Sequence, residues 1–126
     1  MTYLLTLLII APALTFWYAR RRRPTNTFAV SGFVFGVVVS PWALGLYSLY
    51  YLSPWGIVPG LVGLVMTLVH GEPGFVVASH LGWIPVGVVS EFKSQAVVEA
   101  INAFVWAAVY GTLGLAIDRV RLKASL

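Results

Sequence analysis

Cysteine is missing from this 126-residue chain, and charge is scarce: eight Lys or Arg, four Asp or Glu, and two His. The lack of cysteine excludes a disulfide framework, a thiolate metal site and a thiol nucleophile. Four acids (Glu72, Glu91, Glu99, Asp118) and two histidines (His70, His80) are then the whole conventional stock of acid–base and metal-ligand groups. No GxxxxGK[ST] loop cradles a phosphate, no HExxH helix holds zinc, no GxSxG turn raises a nucleophile, and no repeat of about 20 to 50 residues recurs. With so little chemistry available, neither catalysis nor a cofactor is expected.

What the chain does have is apolar side chains. They make up 60% of it, against 10% charged, and the mean hydropathy is +0.90. Soluble chains are about a quarter charged, and one this short cannot enclose so much apolar surface in a single core. A bilayer can cover it. The composition therefore predicts an all-α, polytopic transmembrane protein forming a single domain, 1–126.

Three spans are clear from the sequence: 2–19, 28–52 and 96–117. The first would reach about 27 Å as a helix, close to the hydrocarbon thickness. Its positive charges follow it, the reverse of a secretory signal peptide, so it is expected to be retained. Ser40-Pro41 predicts a kink within the second span. Aromatic clusters at Phe16-Trp17-Tyr18 and at Tyr47, Tyr50, Tyr51 and Trp55 read as two interfacial belts.

The basic excess sits beside apolar runs, at Arg20, Arg21, Arg22 and Arg23 and at Arg119, Arg121 and Lys123. That placement sets orientation in a membrane and does not point to nucleic acid; the quartet also offers contacts to anionic lipid. Both clusters are expected on the cytoplasmic side of an inner membrane, with the N-terminus outside and the C-terminus inside. The chain must then cross an even number of times between them. Two marginal segments, 55–70 and 74–90, lie in that interval. They form either a spanning hairpin turning at Gly71-Glu72-Pro73-Gly74 or a re-entrant excursion, giving five or three crossings.

The last span carries the richest pattern. Gln95, Glu99, Asn102, Trp106 and Tyr110 recur at steps of four, three, four and four, one stripe of a helix. Ala96, Ala100, Ala103, Ala107 and Gly111 run beside it, a small-residue stripe that lets helix backbones approach. This face should pack on protein, leaving Val98, Ile101, Phe104 and Val105 for lipid. Gly32 and Gly36 form a GxxxG pair in the second span with the same meaning.

Two function classes, and a weaker third, follow. The leading expectation is a non-catalytic accessory or assembly subunit, or a small homo-oligomer, held by the packing face Gly32, Gly36, Ala100, Ala103, Ala107 and Gly111. The alternative is a proton- or ion-handling transport module in which broken helices around Pro59, Gly60, Gly82 and Pro85 line a cavity and Glu99 exchanges the ion. A redox subunit ligated by His70 and His80 is weaker, because a hairpin turning near Pro73 would set the two at depths differing by about 7 Å.

Overall fold

The computed structural model describes residues 2–22, 24–52, 54–84 and 92–125. It is all-α: helices α1 (Thr2–Arg22), α2 (Thr27–Leu52), α3 (Ile57–His70), α4 (Glu72–His80) and α5 (Phe92–Ala124), with short 3₁₀ turns at Pro24–Asn26 and Pro54–Gly56. No strand occurs among the described residues. Three helical stretches, Thr27–Leu52, Pro54–His80 and Ser94–Ala124, are long and apolar enough to cross a membrane. The segment 2–19 is helical as well, within α1.

The distribution of side chains is inverted relative to a water-soluble core. Val58, Val65, Trp55 and Phe104 point outward and are 61 to 92% exposed. The interior is built from small residues such as Ala19, Ala43, Ala78 and Ala107, together with polar Thr27, Ser40, Asn102 and Asp118. That is the arrangement expected when the surrounding solvent is as apolar as leucine and helices associate through close packing and hydrogen bonds. Hydroxyls are handled in kind: those of Thr15, Ser31, Thr67 and Thr112 each donate to the carbonyl four residues earlier, at 2.6 to 2.8 Å.

The chain divides into two compact units, Met1–Val38 with Trp106–Leu126, and Val39–Val105. In the first unit α2 and α5 run antiparallel. A Cβ at Gly32 would meet the Tyr110 carbonyl, one at Gly36 the backbone of Trp106 and Ala107, and one at Gly114 the Phe28 carbonyl. Backbones this close leave no space for a side chain at Gly36, which is why the GxxxG pair is needed. The start of α2 is capped by the other helix: Asp118 of α5 accepts from the amides of Phe28 (3.2 Å) and Ala29 (2.8 Å). A carboxylate at a helix N-terminus satisfies otherwise orphaned donors and faces the positive end of the dipole. The Arg121 guanidinium lies 5.1 Å from the centre of the Phe28 ring, so the C-terminal basic stretch reaches the residues that follow Arg20–Arg22. Arg21 in turn stacks on Trp17 at 4.0 Å.

In the second unit α3 packs antiparallel on the end of α2. Gly56, Gly60 and Gly63 approach Leu49, Tyr50 and Tyr47 respectively. The turn expected at 71–74 is not a reversal. Gly71 keeps right-handed helical angles (φ −84, ψ −32), and the bonds Gly71 N–H to Thr67 O (2.8 Å) and Phe75 N–H to Gly71 O (3.4 Å) carry the ladder through. The helix is instead broken locally by Pro73, which has no amide hydrogen. Beyond the break Ala78 and Ile84 form a buried cluster with Val98 of α5, and Phe75, Val97 and Ile101 pack against it. Val98, expected to meet lipid, is therefore buried. The expected elements around Pro85 and Gly87 lie outside the described residues.

Both α1 and α5 run on into their basic flanks, to Arg22 and Ala124. Arg, Leu, Lys and Ala are good helix formers, and positive charge suits a helix C-terminus. Gly82 ends α4's turn in the left-handed region (φ +67) with open space around it. Substituting Gly36→Val should therefore destabilise the protein by about 1–3 kcal/mol or more through overpacking. Gly82→Ala should cost about 1–2 kcal/mol through backbone strain alone. Denaturant titration in micelles followed by circular dichroism reads both.

Candidate functional site

Asn102 is the centre of the second unit's polar interior. Its side chain is fully buried and repairs the break at Pro73. The Gly74 amide, which has no helical partner there, donates to Asn102 Oδ1 at 2.6 Å, and Asn102 Nδ2 donates to Gly71 O at 3.2 Å. Nδ2 also lies 3.3 Å from the Ser40 hydroxyl, in the middle of α2 and next to Pro41. One carboxamide thus serves three helices, and at two of them the residue beside it is a proline. Position 74 must be glycine for this: a Cβ would lie 2.6 Å from Asn102 Oδ1 and press on the Val98 carbonyl.

One turn along α5 from Asn102 lies Glu99, half-buried. Its Oε2 atom is buried and has no hydrogen-bond partner. A buried acceptor left unmatched costs about 1–3 kcal/mol, more when charged, so this oxygen is the most conspicuous unmet demand of the interior. Glu99 is also one of the residues lining a cavity of about 210 Å³, whose polar lining is Thr67, Glu72, Gln95 and Glu99. Leu44, Leu68, Phe75 and Val98 supply the apolar walls. Among the described residues no Lys, Arg or His lines it.

The polar stripe of α5 is divided. Glu99 and Asn102 meet at this site with Gln95 on the cavity wall, whereas Trp106 and Tyr110 belong to the first unit, their rings 5.7 Å apart and Tyr110 5.0 Å from Phe35. The small-residue face is divided too. Gly32, Gly36 and Ala107 lie at the α2–α5 contact, Gly111 is 3.6 Å from Phe33 by its virtual Cβ, Ala103 is half-buried and Ala100 is exposed. Arg20, Arg21, Arg22, Arg119, Arg121 and Lys123 are exposed; Arg23 lies outside the described residues. His70 and His80 each donate Nδ1–H to the carbonyl four residues back, at 3.0 and 2.9 Å. Among the described residues no three His, Asp or Glu side chains gather as a metal-binding group.

Sequence reasoning overlooked three contributors. Ser40 was legible only as the residue before a proline, Gly74 only as part of a turn, and Asp118 only as one charge in a stop signal. The available clue for Asp118 was its sign, a lone acid directly before a basic tail.

Replacing Asn102 by Leu should leave the Gly74 amide without a partner, at a cost of about 1–3 kcal/mol, and the Gly71 carbonyl with only the long bond from Phe75 N–H. Unfolding in micelles should show that loss, and hydrogen exchange should show the Gly74 amide opening first. No protein-family model matches the chain, and comparison with curated proteins and with solved structures finds no match.

Proposed function

We propose that this is a small multi-pass membrane protein that takes up and releases a proton or small cation at Glu99. The observation that carries this reading is the buried, unpartnered Oε2 of Glu99, a residue that also lines a cavity with no cationic side chain among the described residues. An ionisable group within a span is expensive to keep, and such groups mark ion pathways. The broken α3–α4 segment beside it is the kind of irregular backbone that lipid tolerates only where protein or a cavity covers it.

The accessory or homo-oligomer role drew on small-residue faces. Those at Gly32, Gly36 and Ala107 are occupied by the chain's own backbone. A partner helix would have to read the exposed edge at Ala96 and Ala100 instead.

The orientation proposed is three crossings, by α1, α2 and α5, with α3–α4 re-entrant from the outer side. Two features support it. The arginine-bearing ends of α1 and α5 share one end of the first unit, through Asp118 and Arg121 on Phe28 and Ala29. The α3–α4 break sits beside Ser40, halfway along α2, and Ala78 and Ile84 then cluster with Val98. The basic end faces the cytoplasm of an inner membrane, with the N-terminus outside, and holds anionic lipid at about 1 kcal/mol per charge.

Reconstituted into vesicles, the protein should show proton or cation flux, and Glu99→Gln should reduce it at least about tenfold, the effect of losing the exchanging group. Absence of flux in the wild type, or equal flux in the variant, would overturn the reading. The cysteine-free chain also permits single-cysteine labelling. Cysteines at Thr25 and Ser125 should react from one side and a cysteine at Trp83 from the other; labelling of Thr25 and Ser125 from opposite sides would refute the orientation.

A further inference from the structure

We infer that the cavity beside Glu99 is a binding site for a small organic ammonium ion, an inference that rests on Glu99 being the cation-handling group and names what it handles. The hydrogen-bonding inventory of the lining decides the class. Glu72 and Glu99 offer carboxylates. Thr67 has committed its hydroxyl proton to Gly63 O at 2.8 Å, leaving only lone pairs for a ligand. Gln95 brings the single side-chain donor group, alongside its own carbonyl oxygen. Among the described residues the lining is therefore rich in acceptors, poor in donors and carries two acids with no counter-charge. A ligand that satisfies it must donate hydrogen bonds and carry positive charge.

Size and apolar character separate an organic cation from a bare one. A cavity of about 210 Å³ is several times the roughly 30 Å³ share of one water molecule, so a dehydrated metal ion would leave most of it empty. Calcium, moreover, takes about six to eight oxygen ligands, more than the lining's side chains converge on one point. Leu44, Leu68, Phe75 and Val98 supply apolar wall that can cover methylenes. An ammonium with a few carbons meets both halves of the wall: N–H groups toward Glu99 and Thr67, hydrocarbon toward the leucines. Glu99 is the inner, partly buried carboxylate and Glu72 the exposed one, so the former anchors the charge and the latter draws it in from the entrance.

Such an ammonium has two sources, a soluble amine or the headgroup of phosphatidylethanolamine. The test uses the full chain in phosphatidylglycerol nanodiscs, with phenethylammonium as probe and calorimetry as readout. Saturable binding is expected, weakened at least about tenfold in Glu99→Gln, less in Glu72→Gln, and not competed by neutral 2-phenylethanol, which lacks the charge. Leu68→Trp, an exposed-side change that fills the cavity while keeping both carboxylates, should abolish binding and so guards against a misfolded Glu99 variant. Adding phosphatidylethanolamine to the nanodiscs should compete if the headgroup is the natural occupant and leave affinity unchanged if a soluble amine is. Equal binding to wild type and Glu99→Gln overturns the inference. So does failure of phenethylammonium to bind or to protect Glu99 from carbodiimide when sodium or acid pH alters that labelling, an outcome that leaves ion handling at Glu99 standing. If flux is absent as well, both readings fall.

Discussion

A backbone amide or carbonyl released inside hydrocarbon has no water to turn to, and the rest of this structure is arranged around that constraint. The chain places prolines at 41 and 73, within or beside apolar helices, and each removes a rung of the hydrogen-bond ladder. Asn102 serves backbone groups on either side of Pro73. It accepts from the Gly74 amide, donates to the Gly71 carbonyl, and spends its remaining capacity on Ser40. An isolated asparagine buried among apolar side chains would be a liability; with its partners in place it fixes where α3–α4 bends and what lies beside α2.

The same economy appears at the other unit, by a different device. There the helix that needs help is α2, whose first amides are orphaned as at any helix start, and the help comes from Asp118. Close backbone approach at Gly32, Gly36 and Gly114 brings α5 into position for it. Glycines spaced four apart and an acid at the far end of a distant helix are thus parts of one contact. Glu99 is the exception that gives the second unit its character. Asn102 and Asp118 have donors or acceptors of the chain's own, whereas Glu99 lines a cavity and its buried Oε2 has none.

Much of the architecture was legible because length and hydropathy act over whole helices. The three long apolar runs, the polar turn at Pro24–Asn26 and the small residues of GxxxG were all visible in the linear order of residues. The middle of the chain was less so. Gly71-Glu72-Pro73-Gly74 is composed like a turn, and only the capture of the Gly74 amide by a residue 28 positions away lets the helix continue. A tertiary hydrogen bond overrode a local signal. The site was half legible for the same reason: periodicity put Gln95, Glu99 and Asn102 on one stripe, but nothing in spacing announces that Ser40 and Gly74 come to meet them. Periodicity also extended the stripe to Trp106 and Tyr110, which belong to the first unit, because a helical repeat does not register where the neighbours change.

The capping of α2 by Asp118 has a consequence for biogenesis. The amides of Phe28 and Ala29 are inserted early, yet the carboxylate that satisfies them lies 90 and 89 residues later in the chain. Until α5 has emerged, the entrance to the second helix must make do with lipid headgroups or water at the bilayer edge. Closure of the first unit at its basic end therefore waits for α5, and a nascent chain that stalls before that helix emerges remains unlatched there.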